Sequence, residues 1–82
     1  MVVSVEISYY PLVEDFNVPV NNFIRQLDNT NITIETGNMS TCIIGEYSEV
    51  MSLLTKTMGD LINKYPSVFN IKISNACAAK NK

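Results

Sequence analysis

The 82 residues predict a single α+β domain of order βαββαβ, and three observations carry that prediction. A segment at each end of the chain alternates polar and apolar side chains, with the period of two expected of a strand whose faces differ. Two internal segments repeat apolar residues at i, i+3, i+4 and i+7, the stripe of an amphipathic helix. Between these helical segments, two short β-rich runs are joined by Gly37-Asn38, which reads as a hairpin.

In the first strand, Val3, Val5, Ile7 and Tyr9 alternate with Ser4, Glu6, Ser8 and Tyr10. Pro11 ends it, because proline has no N–H to give a ladder. Asn17-Val18-Pro19 opens the first helix, since Asn is a favoured N-cap and proline is tolerated where N–H groups lack partners. Val20, Phe23, Ile24 and Leu27 form its stripe, and the polar run 28–31 stops it. Ile32 to Thr36 is a short strand, Gly37-Asn38 a tight link, and Met39 to Ile44 a third strand closed by Gly45. The second helix spans Ser48 to Tyr65 and is built on Val50, Leu53, Leu54, Thr57, Leu61, Ile62 and Tyr65. Glu46 and Glu49 suit its positive end, and Pro66 stops it. Gly59 inside it costs about 1 kcal/mol relative to alanine, which points to close backbone packing there. Val68 to Ser74 is the last strand, with Phe69, Ile71 and Ile73 on one face. The tail, 75–82, is small and polar and is expected to fray.

Right-handed crossovers turn this order into a four-stranded antiparallel sheet with two helices on one face, the ferredoxin-like architecture. The helices are expected to cover Val3, Val5, Ile7, Ile32, Ile34, Phe69, Ile71 and Ile73. The other face would show Ser4, Glu6, Ser8, Tyr10, Asn70, Lys72 and Ser74, with Val2 and Val68 at its ends. In the third strand either Met39, Thr41 and Ile43 or Ser40, Cys42 and Ile44 point outward, and both sets carry apolar groups. A surface half apolar and half hydroxyl suits packing against another sheet, giving a homo-oligomer, dimer or tetramer. A chain of this length buries only about 60% of its unfolded surface, so a partner subunit is a reasonable source of extra stability.

Composition narrows the function. With 46% hydrophobic residues the chain is not of the disordered class. The formal charge of −2 and six scattered basic residues argue against nucleic acid as a partner, because phosphate neutralisation needs clustered Lys and Arg. No apolar run approaches the roughly 20 residues that span a bilayer. The alternating N-terminus reads as a strand and not as a signal peptide, so no membrane partner and a cytoplasmic location are expected. The absence of histidine removes the commonest general base and the commonest metal ligand together. Cys42 reads as a small buried hydrophobe, and the strand order puts it too far from Cys77 for a disulfide. There is no C-x-x-C and no glycine-rich phosphate loop, so neither a metal nor a cofactor is expected. An RNA-recognition sheet would need aromatic residues on the third strand, and 39–44 has none. These exclusions favour a binding module over an enzyme. Glu35 can face the open side. Thr36, Ser40 and Thr41 are either ordinary strand residues or a set of hydrogen-bonding groups on a rigid element, and the residues alone do not choose.

A family resemblance adds to this. Ile7-Ser8-Tyr9-Tyr10-Pro11-Leu12 with Asp15-Phe16, then Thr36, Ser40-Thr41, Gly45 and the apolar start of the second helix, then Ser74-Asn75-Ala76-Cys77, together resemble one repeat of the YkoF-like thiamine- and hydroxymethylpyrimidine-binding proteins. The chain is also similar to their single-repeat MTH1187-type relatives. The resemblance spans nearly the whole chain and implies non-catalytic binding of thiamine or its pyrimidine moiety, in vitamin B1 salvage or transport. A single repeat would supply by self-association what the tandem members hold in one chain. The positions matching the motif are Ser8, Tyr10, Thr36, Ser40 and Thr41, and Glu35 joins them as a carboxylate able to balance the thiazolium charge. Tyr9 or Tyr10 would offer a ring face, worth roughly 0.5–2 kcal/mol to a cation.

The chain departs from the pattern at Gly37-Asn38, where tandem members carry an acidic residue and a histidine, at Ile44, where single-repeat relatives carry glutamate, and at Ala78-Ala79, which replaces Pro-Gly. These departures leave the fold expectation intact and bear on the ligand, since a lost polar anchor weakens binding or changes the preferred pyrimidine. The competing expectation is a ligand-free interaction module that uses its sheet only to associate.

Overall fold

The computed structural model describes residues 1–28, 31–37 and 39–76. The expected order holds: β1 (Val2–Pro11), α1 (Asn17–Gln26), β2 (Thr33–Thr36), β3 (Thr41–Glu46), α2 (Tyr47–Lys64) and β4 (Ser67–Ser74). The strands lie β2-β3-β1-β4, every neighbouring pair antiparallel, so each helix carries the chain past one intervening strand. This is the ferredoxin-like α+β fold.

The alternation in β1 works as the period of two requires. Val3, Val5 and Ile7 are buried together with Ile43, Phe23, Leu27, Val50, Leu54 and Leu61, and this cluster is the core between sheet and helices. Tyr9 extends it: its ring stacks on Phe69 at 4.6 Å, and Phe23 leans against both rings. The register Glu6↔Cys42 and Glu35↔Cys42 resolves the third strand. Thr41 and Ile43 are buried on the helix side, while Ser40, Cys42 and Ile44 share the other face with Glu6 and Glu35.

Several local expectations are corrected. Asn17 is not the N-cap of α1. Phe16 is, without a side-chain hydrogen bond, and the nearby carboxylate of Asp15 accepts the Asn17 N–H at 3.3 Å. The buried stripe of α1 is Pro19, Phe23 and Leu27, whereas Ile24 is 39% exposed. The stripe turned because the proline ring, not the Ile24 side chain, faces the core. β3 starts and ends two residues later than expected. The link between β2 and β3 runs over 37–40, closed by the Gly37 N–H donating to the Ser40 carbonyl at 2.8 Å. Gly45 continues β3 instead of closing it, opposite Val3. A side chain at Gly45 would lie 3.2 Å from Val50 Cγ2 and 3.3 Å from Ile32 Cγ1, so glycine here lets α2 and the residue preceding β2 close on the sheet. Gly59 does the opposite of what its position suggested: nothing lies within 4 Å of where its Cβ would be.

The largest correction concerns β4. The helices pack over β1 and β3, and α1 reaches only as far as Phe69. Ile71 and Ile73, expected beneath a helix, are 40% and 48% exposed. A strand's period says which side chains share a face, but not how far across that face two helices extend.

Two polar clasps fix the helices. The Glu46 carboxylate is the N-cap of α2, accepting from the Ser48 N–H at 2.9 Å, the Ser48 hydroxyl at 2.7 Å and the Met1 ammonium at 3.1 Å. The Ser48 hydroxyl first, then the ammonium, lower its pKa to about 2. Between the helices, Gln26 Nε2 donates to Asp60 Oδ2 at 2.7 Å and to Asn22 Oδ1 at 2.8 Å. The Gln26 amide and then Lys64, 3.3 Å away, hold the Asp60 carboxyl below its usual range. Cys42 is a free thiol, half-buried on the open face. Cys77 and the tail from 77 onward lie outside the described residues, as does Asn38 of the hairpin link. No helix among the described residues is long and apolar enough to cross a membrane.

Candidate functional site

Two small cavities lie on opposite sides of the sheet where β3 begins, and they share Met39 and Ser40. The first, of about 100 Å³, sits between α1 and the sheet. β1 supplies Ile7 and Tyr9 to its wall, α1 supplies Val20, Phe23 and Ile24, and the β2–β3 end supplies Thr36 and Thr41. It lies where α1 faces the β2–β3 link, and Gly37 is among the residues that line it. No charged residue lines it. Its character is an aromatic and aliphatic slot with threonine hydroxyls at one end, and each hydroxyl can donate once and accept twice.

The second cavity, of about 150 Å³, lies on the open face among Glu6, Ser8, Tyr10, Asn70 and Lys72. It is strongly polar. The Ser40 hydroxyl donates to Glu6 Oε2 at 3.1 Å, Lys72 Nζ stands 3.9 Å from Glu6 Oε1, and the Ser8 hydroxyl donates to the Met39 carbonyl at 3.2 Å. Both members of the ion pair are more than half exposed, so the pair contributes little to stability.

The sheet thus divides the residues singled out from sequence. Thr36 and Thr41 meet in the helix-side cavity, Ser8 and Tyr10 in the open-face cavity, and Ser40 borders both. Glu35 is on the open face but lines neither cavity. Of the two tyrosines, Tyr9 lines the slot, with its hydroxyl 3.0 Å from Ser67 Oγ, while Tyr10 is 49% exposed on the far side. Sequence reasoning treated Phe23 as core alone and assigned Val20 and Ile24 no role beyond the stripe. Their spacing shows that they share a face of α1, but a gap beneath that face leaves no mark in a periodicity. No cluster of carboxylates or cysteines suited to a metal ion occurs among the described residues.

The comparisons with known proteins concern this whole frame. A likeness to solved structures covers 90% of the chain in each case. A putative thiamine biosynthesis/salvage protein from Thermotoga maritima matches with a TM-score of 0.79 and 23% identity over 83% of its own length. A Streptococcus pneumoniae protein matches at 0.81 and 22% over 86%, and a hypothetical protein from Methanocaldococcus jannascii at 0.77 and 22% over 79%. At these identities the likeness speaks for the fold. No curated protein matches the chain. A family model described as thiamine-binding protein matches residues 5–80, a span that takes in both cavities and every candidate residue, and the chain therefore belongs to the thiamine-binding protein family.

Proposed function

We propose that the chain binds the aminopyrimidine ring of thiamine, or a free hydroxymethylpyrimidine, in the slot between α1 and the sheet, without transforming it. The observation that carries this reading is the convergence of aromatic Tyr9 and Phe23 with the hydroxyl-bearing Thr36 and Thr41 around one uncharged cavity. Its volume of about 100 Å³ is of the order of the roughly 150 Å³ cavity that takes up a benzene ring. One substituted six-membered ring suits that space and the whole of thiamine does not, so the thiazolium stays at the mouth. A ring held flat against aromatic walls with its edge on hydroxyls is selected by shape and by hydrogen bonds. Neutral walls avoid the cost of burying an unpaired charge.

Ser8, Tyr10 and Glu35 belong on this reading to the open face. That face packs on a second copy of the sheet, since Val2 and Val68 remain 53% and 46% exposed there beside the hydroxyls. The assembly is a cytoplasmic carrier or sensor in thiamine salvage or transport, with no nucleic acid or membrane as partner.

Titration calorimetry with thiamine and with hydroxymethylpyrimidine tests the reading. Heat is expected from both, and Thr41→Val should weaken binding by about 1–3 kcal/mol, the cost of leaving a buried polar partner unpaired, with the fold unchanged. Absence of heat and of any melting shift at saturating ligand would remove the small-molecule reading. The exposed apolar ends of the open face favour a second reading, a ligand-free association module. On that reading Ser40→Ala with Thr41→Ala leaves function intact, while a charge on the open face abolishes it.

A further inference from the structure

A second depression lies on the same side of the sheet as the slot and adjoins it. It is an open groove of about 440 Å³, walled by Ile24, Arg25 and Asp28 from the α1 side and by Ile32 and Ile34 from the β2 side. Ile24 is the wall that the slot and the groove share. Two periodicities set this arrangement. Residues two apart on a strand point to one face, so Ile34 of the groove and Thr36 of the slot both lie on the helix side of β2, opposite buried Ile43 and Thr41. Residues four apart on a helix lie one above the other, so Ile24 follows Val20 of the slot toward the end of α1, where Asp28 stands. The slot is aromatic and hydroxyl-bearing, whereas the groove is aliphatic with two charges. Arg25 and Asp28 are both exposed, and neither has an ion-pair partner among the described residues. The groove therefore presents one cation and one anion that do not neutralise each other. α1 ends beside it, and the last carbonyls of the helix add a partial negative charge.

We infer that this groove holds the thiazolium half of the ligand and takes it as a phosphate ester, an inference that rests on the pyrimidine occupying the slot. That half is complementary to the groove in three respects. Its flat ring suits the floor of Ile32 and Ile34. The ring's positive charge suits the Asp28 carboxylate and the end of α1. Its hydroxyethyl arm, once esterified, brings a phosphate to Arg25, whose planar guanidinium can give two parallel N–H···O bonds to phosphate oxygens. An unesterified arm would leave Arg25 to water, so Arg25 sets the preference for the ester. The spacing agrees. A strand advances about 3.3 Å per residue, so the step from Thr36 to Ile34 is of the order of the offset between two rings joined by one methylene. The carboxylate that balances the thiazolium is then Asp28. Glu35, which the sequence suggested for that role, lies on the other face of the sheet.

Titration calorimetry at low ionic strength tests this with hydroxymethylpyrimidine, thiamine and thiamine monophosphate, on the full chain and on Asp28→Asn and Arg25→Gln. Affinity is expected to rise in that order of ligands, each step by about two- to fivefold, the range of an exposed ion pair. Asp28→Asn should weaken thiamine by a similar factor and leave hydroxymethylpyrimidine unchanged. Arg25→Gln should bring thiamine monophosphate down to the level of thiamine and leave thiamine itself no weaker. Added salt should narrow both steps, because the charges are exposed. Hydroxymethylpyrimidine is the control for fold and slot: if Asp28→Asn weakens it as much as thiamine, Asp28 does not act on the thiazolium and the inference fails. Thiamine monophosphate bound no tighter than thiamine, or an advantage that survives Arg25→Gln, also overturns it. Hydroxymethylpyrimidine bound as tightly as the other two removes the groove and leaves the slot standing. If hydroxymethylpyrimidine does not bind at all, the slot itself falls and the inference with it.

Discussion

Thr57 is fully buried on the core side of α2, and its hydroxyl oxygen has no hydrogen-bond partner among the described residues. A buried hydroxyl left unpaired costs about 1–3 kcal/mol, and valine has nearly the same shape without it. Thr57→Val is therefore expected to raise the midpoint of thermal unfolding measured by circular dichroism. At Gly59 the open space around the missing Cβ leaves only the helix propensity to act. Gly59→Ala should stabilise by about 1 kcal/mol, a shift of about 4–8 °C for a domain of this size. Gly45→Ala is expected to go the other way, by about 1–3 kcal/mol, because Val50 and Ile32 stand within 3.3 Å of the added carbon. Two glycines in one chain thus have opposite outcomes, and the sequence alone hinted at the wrong one, since only the fold tells which of them has a neighbour.

At the scale of an element, the start of α2 is the most strongly tuned feature. The Glu46 carboxyl is held at about 2 against an ordinary 4.5. A folded pKa below the unfolded one means that the stabilisation is fully present above about 4.5 and is lost as pH falls toward 2. Glu46→Gln should remove that part of the acid sensitivity, so that urea midpoints of variant and wild type converge at the acidic end of this window. The same element shows what was legible in the sequence. Glu46 and Glu49 at the head of an apolar stripe already suggested an acidic helix start, and Pro66 its end. β1 was equally plain from its alternation. The hairpin was less so, because Gly37-Asn38 suggested a two-residue turn where the chain takes 37–40, and that shift moved β3 along with it. The candidate site was half legible for the same reason. Thr36, Ser40 and Thr41 were recognisable as a hydroxyl set, but the register with β1 decides that Thr41 faces α1 while Ser8 and Tyr10 face away.

For the whole molecule, ligand binding and stability are linked. A ligand that binds only the folded state adds about 2.7 kcal/mol at a hundred times its dissociation constant, or about 10–20 °C for a domain this small. Hydroxymethylpyrimidine at that excess is expected to raise the melting temperature in differential scanning fluorimetry, and less so in Thr41→Val. Ile71 and Ile73 belong to this scale too, since their exposure follows from where the helices sit over the sheet.

The strand order has a further consequence, for how the molecule is made. β1 is central, and one of its two neighbours, β4, is the last of the four strands in sequence, with Ser4 opposite Ser74 and Pro11 opposite Ser67. Closing pairs so distant in sequence slows folding, because the entropy of the large loop is lost before the contacts form. During synthesis, the first strand must wait beside β3 with one edge open until the final strand has left the ribosome. Translation order therefore makes the N-terminal half the aggregation-prone half, and a chain truncated before Ser67 should accumulate in inclusion bodies where the full chain folds.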